Sequence, residues 1–237
     1  MNEPSYHPVL NLALLGNGKM GQAVAALAPQ RGFAVRLILD ENSNHDNQGI
    51  TGASFKGVDV CVDFTTPEAA PENIRRVAAL GCNMVVGTTG WYDQMEAVRQ
   101  AVRQAGIGLV YGANFSVGIQ LFYRAAHDLA EIFSRYSAYQ SYITEAHHQF
   151  KTDAPSGTAL ELKQRVAGTL APREPGIWSV RAGFIPGTHE LGFDSEADTV
   201  ILRHTARSRQ GFAEGALYAA RWVAGKKGSF DFAEILE

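Results

Sequence analysis

Through its first half the chain repeats one pattern, a short and almost wholly apolar run followed by an amphipathic segment of helical length. Val9 to Leu15, Val35 to Asp40, Val60 to Phe64, Met84 to Val86 and Leu109 to Tyr111 read as buried strands. Between most of them, Met20 to Ala28, Pro67 to Leu80 and Tyr92 to Ala105 have the length and period of helices. Thr66-Pro67 is a start signal, an N-cap hydroxyl followed by proline at the first helical position. Strand, helix, strand in repetition predicts an α/β fold with a Rossmann-type doubly wound parallel sheet. After Phe115 the pattern changes to a long helix, Gly118 to Phe133, then strand-like segments at Tyr139 to Thr144, Val180 to Ile185 and Thr199 to Thr205, interrupted by a helix starting at Ser156. That is an α+β layout, with a boundary near Ser116 to Gly118. Phe212 to Ala224 reads as a final helix. The polar stretch Asn42 to Gly49, without apolar anchors, reads as a mobile surface loop.

Composition removes several functions. The chain has 237 residues and a net charge of −3, with scattered basic residues and no basic stripe interleaved with aromatics, so nucleic acid is not an expected partner. No run approaches the ~20 apolar residues that span a bilayer. The polar N-terminal segment with Glu3 lacks the features of a secretory signal, so no membrane partner and a cytoplasmic location are expected. Cys61 and Cys82 lie in apolar, strand-like segments and read as buried thiols, too few for a disulfide framework or a thiolate zinc site.

Gly16-Asn17-Gly18-Lys19-Met20-Gly21 directly follows the first strand and opens the first helix, the context of the dinucleotide fingerprint. Asp40 ends the second strand about 20 residues on, where a carboxylate can accept from both adenosine ribose hydroxyls. A strand-end Asp also caps turns, so both roles stay open. Asp40 and Glu41 would repel a 2′-phosphate, which favours NADH, while Lys19 leaves NADPH open. Gly87-Thr88-Thr89-Gly90 and Ala113-Asn114-Phe115 follow two further strands, at the edge where ligands bind in open α/β sheets, and equally read as plain turns.

The segment EAHHQFKTDAPSGTAL, Glu145 to Leu160, concentrates the chemistry of an anion site. His147 and His148 close a strand-like run, and Lys151 adds a full positive charge. The amides of Ser156, Gly157 and Thr158 would be first-turn donors that favour a bound carboxylate or phosphate. A strand histidine can instead be a core residue, and Ser156 or Asp153 a plain N-cap. A metal site at Glu145, His147 and His148 is disfavoured, because adjacent strand residues face opposite sides, and no metal is expected. Ser156 lacks the surroundings of a nucleophile elbow.

EAHHQFKTDAPSGTAL resembles the signature of the 4-hydroxy-tetrahydrodipicolinate reductase (dihydrodipicolinate reductase) family. The resemblance extends over the glycine loop, Val62-Asp-Phe64-Thr-Thr-Pro67-Glu68, the two turns above, and Arg181-Ala-Gly-Phe-Ile-Pro-Gly-Thr-His189-Glu190 with Arg203 to Arg209. It implies NAD(P)H-dependent reduction of a cyclic dicarboxylate imine in the diaminopimelate and lysine pathway. It also implies a dinucleotide domain over 1–117 to which 209–237 returns, and a substrate-binding and oligomerisation domain over 118–208 that builds a homotetramer. By the same resemblance His147 is the general acid and Lys151 a catalytic cation. His148, Ser156, Gly157, Thr158, Thr89 and Arg209 bind substrate. The glycine loop, Asp40, Phe64, Gly87, Thr88, Thr89 and Ala113 to Phe115 hold the cofactor. The alternatives are another amino-acid-linked Rossmann dehydrogenase, such as an aspartate or diaminopimelate dehydrogenase, and a dinucleotide-binding regulator without turnover.

Overall fold

The computed structural model describes residues 8–236, so the polar N-terminal segment up to position 7 and position 237 lie outside the described residues. Two compact units form, one from residues up to Ser116 together with those from Arg209 onward, the other from Val117–Ser208. The chain begins with β1 (Leu10–Leu15), α1 (Lys19–Leu27), β2 (Phe33–Leu39), β3 (Val60–Asp63), α2 (Ala70–Ala79), β4 (Asn83–Val86), α3 (Met95–Ala105) and β5 (Gly108–Tyr111). The second unit contributes α4 (Val117–Ser134), β6 (Gln140–His147), α5 (Gly157–Leu170), β7 (Gly176–Arg181), β8 (Thr188–Asp194) and β9 (Thr199–Thr205). The first unit is then completed by α6 (Gln210–Val223) and β10 (Gly228–Asp231).

The first unit is a six-stranded parallel sheet in the order β10-β5-β4-β3-β1-β2. Its inner strands β1, β3, β4 and β5 are mostly apolar on both sides because both faces are covered. Ala13, Leu15, Cys61, Met84, Val86 and Leu109 join Ile74 and Val77 of α2 and Val98 and Val102 of α3 in one core, while α6 packs on α1 and on β3 to β5. The strand order reverses at β1, which puts the loops after β1 and β3 side by side at the crevice where such sheets bind ligands. Gly16 has φ +92° there, and a Cβ on it would stand 2.3 Å from the Phe64 carbonyl oxygen, so only glycine fits.

Helix α2 starts at Ala70, later than the Thr66-Pro67 signal predicts. Thr66 acts through its carbonyl, which accepts from the amides of Ala69 and Ala70 in a preceding turn. The 42–49 stretch is not the unanchored loop that its composition suggests. Asn44 accepts from the Gly49 amide and donates to Asn73, and Arg76 donates to the Asn47 carbonyl. Strand β10, which periodicity leaves unassigned, pairs in parallel with β5.

In the second unit α4 and α5 cover one face of a four-stranded sheet in the order β7-β6-β8-β9. β6 and β7 run parallel, joined by α5, while β8 is antiparallel to β6 and to β9. Phe122, Tyr123 and Ala126 of α4 meet Leu162 and Val166 of α5 over Ile143, Leu191 and Phe193. The strand expected at Val180 to Ile185 lies at Gly176–Arg181, and β8 has no counterpart in the sequence reading. β8 buries Thr188 and His189 beside its apolar residues, so the apolar run that marks a strand is missing.

Candidate active site

In the first unit a cleft of about 410 Å³ opens beyond the carboxyl ends of β1, β3 and β4, lined by Gly18-Lys19-Met20, by Phe64-Thr65 with Pro67, and by Gly87-Thr88-Thr89. Gly18 is the N-cap of α1 and places no side chain over the first amides, so this helix end can receive an anion. Gly21 is buried, and the Asn17 carbonyl accepts from Gln22. Asp40 takes the turn-capping role with one of its two carboxylate oxygens. Its Oδ1 accepts from the Asn42 amide (3.1 Å), the Ser43 amide (2.9 Å) and the Ser43 hydroxyl (2.7 Å), while Oδ2 meets no donor among the described residues. The Ser43 amide and hydroxyl hold its pKa below the ordinary value, so the carboxylate is ionised.

Ala113 is exposed, Asn114 accepts from the Ser116 amide, and Phe115 is buried against Phe232 (4.5 Å) and the edge of Phe64 (6.3 Å). Phe115 therefore supports Phe64 from behind. Arg209 is exposed at the N-cap of α6, in the first unit. One residue absent from the sequence reading organises the cleft. Fully buried Asp63 accepts from the Thr65 amide and hydroxyl, from the Thr88 hydroxyl and from Asn73, tying two cleft loops to α2.

Glu145, His147 and His189 of the second unit gather on the helix-covered face of its sheet, where α5 begins. Ile143, Glu145 and His147 alternate along β6, and register places Glu145 opposite His189 and His147 opposite Arg181. Glu145 is buried and forms the hub. Its Oε1 and Oε2 receive Arg181 at 2.7 and 3.0 Å, Oε2 lies 2.5 Å from His147 Nδ1, and Oε1 accepts from the Ser156 amide at 3.3 Å. Ser156 is the N-cap of α5, its Oγ accepting from the Ala159 amide and standing 3.1 Å from His189 Nε2. The Ser156 amide is thus not the open donor expected from sequence, whereas the amides of Gly157 and Thr158 meet no acceptor among the described residues. Lys151 pairs with Asp153 at 2.8 Å, and His148 Nδ1 is buried without a hydrogen bond among the described residues. Gly187 passes so close that a Cβ on it would lie 3.2 Å from His147 Nε2.

Glu145, Arg181 and His189 are the site residues that the sequence reading did not assign. Glu145-x-His147 on a strand was the available signal, since residues two apart share a face. Glu145, His147 and His189 bring ligand atoms within 4.8 Å of one another, a spacing a metal ion could use. Arg181 already supplies the cation on that carboxylate.

Burial opposes the charge of Glu145, yet hydrogen bonds from Arg181, Ser179 and His147 hold its pKa at about 2. Burial pulls His147 below the ordinary imidazole value against the pull of Glu145, and the charges of Lys151 and Arg181 act in the same direction as burial. Burial and the neighbouring His147 lower His189 to about 4. A histidine whose folded pKa is depressed contributes its full stability above the unfolded value of about 6.5 and loses it as pH falls toward 4. We expect about 3 kcal/mol to be lost through His189 over that window. Thermal melts from pH 7.5 to 4.5 should show the loss in the wild type and a shallower dependence in His189→Gln. Identical slopes would contradict it.

No helix among the described residues is long and apolar enough to cross a membrane. Sequence models of the N-terminal and C-terminal parts of dihydrodipicolinate reductase match residues 10–115 and 118–236. The chain is 34% identical over 239 residues to 4-hydroxy-tetrahydrodipicolinate reductase of Christiangramia forsetii, covering 96% of this chain and 98% of that one. It is 36% identical over 231 residues to the enzyme of that name from Neisseria gonorrhoeae, covering 89% and 83%. The fold is that of dipicolinate-bound dihydrodipicolinate reductase from Paenisporosarcina sp. TG-14, with a TM-score of 0.78 at 24% identity over 96% of this chain and 99% of that one. With both units matched and a third of its residues shared along nearly its whole length, this chain belongs to the dihydrodipicolinate reductase family.

Proposed function

We propose that this protein reduces the cyclic imine 4-hydroxy-tetrahydrodipicolinate to tetrahydrodipicolinate, in diaminopimelate and lysine biosynthesis. The observation that carries the reading is the Glu145–His147 pair beside the open N-terminus of α5, in a chain of this family. The cofactor is a reduced nicotinamide dinucleotide, which when bound supplies the hydride to ring carbon C4. The cleft at the sheet's switch point suits it, with the α1 amides for the pyrophosphate and Asp40 Oδ2 for the ribose. Phe64 and the Gly87-Thr88-Thr89 turn line the same cleft.

His147 is the general acid that protonates the resulting enamine at C3. Its Nδ1–H donates to Glu145, which leaves Nε2 as the nitrogen that carries and delivers the proton. Burial and two neighbouring cations disfavour the imidazolium, and the two carboxylates of the substrate offset them, so His147 gains its proton when substrate is bound. Lys151 exchanges Asp153 for a substrate carboxylate, steadying charge near the ring nitrogen. His148, the Ser156 hydroxyl and the amides of Gly157 and Thr158 hold a carboxylate. We assign Arg209 a supporting role in substrate binding.

Oxidation of NADH and NADPH is the direct test, with substrate generated in situ by the upstream synthase from pyruvate and aspartate semialdehyde. Turnover is expected; bound NADH without turnover would favour a regulator. Preference for NADH rests on ionised Asp40, followed by Glu41 and not by a cation. Asp40→Asn keeps the Oδ1 cap and removes the charge, so the ratio of kcat/KM for NADH over NADPH should fall on the order of tenfold. An unchanged ratio would move the preference elsewhere.

The homotetramer and cytoplasmic location are part of this reading. The sheet face away from α4 and α5 carries exposed Trp178, Val180 and Ile201, and β7 and β9 leave unpaired edges. Both features support assembly through the second unit.

A further inference from the structure

One hydroxyl in the second unit has its hydrogen-bond directions set by a histidine with an unmet nitrogen. Ser156 Oγ is 2% exposed as part of its residue and has two lone pairs and one proton to place. The Ala159 amide donates to it at 3.3 Å, which takes one lone pair. His189 Nε2 lies 3.1 Å away and its role depends on the tautomer. The other ring nitrogen, Nδ1, is buried and makes no hydrogen bond among the described residues, in a residue only 4% exposed.

The two tautomers of His189 differ in what they leave stranded. With the proton on Nδ1, a buried N–H has no acceptor and Ser156 spends its own proton on Nε2. With the proton on Nε2, only a lone pair at Nδ1 is unmet, and an orphaned buried N–H is the rarer of the two defects. The second arrangement fills both lone pairs of Ser156 Oγ, from Ala159 and from His189. The serine proton then has no acceptor among the described residues and is free for a ligand at the mouth of α5. The doubly protonated ring is not populated near neutral pH, since burial and His147 hold His189 down at about 4.

We propose that His189 is a positioning residue that donates Nε2–H to Ser156 Oγ and so turns the serine hydroxyl into a hydrogen-bond donor for one substrate carboxylate. This rests on the reading above that Ser156 binds such a carboxylate. The neighbouring amides of Gly157 and Thr158 add donors at the same helix end, so the hydroxyl completes a set made only of donors. A carboxylate accepts from all of them, whereas an amide or an alcohol in its place would bring a hydrogen against them.

The test uses the intact enzyme with NADH and dipicolinate as a competitive probe. Glutamine carries its amide nitrogen at the same bond distance from Cα as His Nε2, and asparagine matches Nδ1. His189→Gln should bind dipicolinate within about twofold of wild type, while His189→Asn and Ser156→Ala each weaken it on the order of tenfold. KM for NADH should stay unchanged in all three. In the Ser156→Ala background, His189→Asn should add nothing, because its effect passes through the serine. An undiminished tenfold effect there, or His189→Gln as weak as His189→Asn, overturns the positioning role. Full dipicolinate affinity in Ser156→Ala would instead overturn the carboxylate-site reading. Independently of how the variants fold, nitrogen NMR of histidine-labelled wild type should show His189 protonated at Nε2 and bare at Nδ1. The opposite tautomer refutes the proposal.

Discussion

Replacing His147 by Gln should lower kcat by on the order of a hundred- to ten-thousandfold and leave the dissociation constant of NADH unchanged. Glutamine places an amide nitrogen where Nε2 stands but carries no proton that it can release near neutral pH. The variant therefore keeps the shape and loses the acid. Every residue proposed to hold the dinucleotide, from the glycine loop to Asp40 and Thr88, lies in the first unit, while His147 lies in the second. In wild type, kcat/KM should fall as pH rises through the depressed pKa of His147, because the protonated form is the active one. That limb of the profile should vanish in the variant. Retention of kcat with the limb intact would assign the proton to another group, with Lys151 the next candidate. Equal losses in NADH binding and kcat would point to a general disruption of the fold.

Removing the charge at Glu145 should be more damaging to the fold than removing any other single group of the site. Glu145→Gln keeps the volume but offers one amide face with two hydrogens to Arg181 and His147, both of which donate. Loss of one partner from a buried ion pair costs about 3–5 kcal/mol, and the low end applies because the Arg181 side chain keeps 17% exposure. A fall in Tm of roughly 10 °C follows. The amide keeps one oxygen, so either His147 Nδ1 or the Ser156 amide loses its acceptor and the site is no longer held as in wild type; kcat should drop as well. The double variant Glu145→Gln with Arg181→Met removes both charges and should recover part of the stability without recovering kcat. Stability that falls further in the double variant would mean that Arg181 is held by its bonds to the carbonyls of Val180 and Asp153, with Glu145 contributing little.

How much was legible from sequence differed between the two units for a physical reason. In the first, β1, β3, β4 and β5 are short, mostly buried runs, and the loops proposed to face ligand follow strand ends directly. Gly16, Asp40 and Gly87 could each be placed from local pattern because a strand end and its loop are contiguous in the chain. The exception is Asp63, which reads as an inner residue of the Val60 to Phe64 strand and proves to tie Thr65, Asn73 and Thr88 together, a role set by β4 and α2 packing beside it. In the second unit the residue types of the site were visible in Glu145 to Leu160, but half of their partners were not. Arg181 and His189 are 36 and 44 positions beyond Glu145. They reach it only through the β6–β7 and β6–β8 pairings, and β8 itself was hidden by its buried polar residues.

Residue types and spacing alone determined that this chain alternates strands with helices, opens its first helix with a glycine loop, and carries imidazole, ammonium and free helix amides in one segment. Tertiary structure alone decided what those groups do to one another. A shift of one residue in the β6–β8 register would turn His189 to the opposite face of the sheet. Nothing within Glu145 to Leu160 specifies that register. It is set where Leu191 and Phe193 pack beneath α4 and α5, and that packing holds Glu145 against Arg181 and His147 and Ser156 against His189.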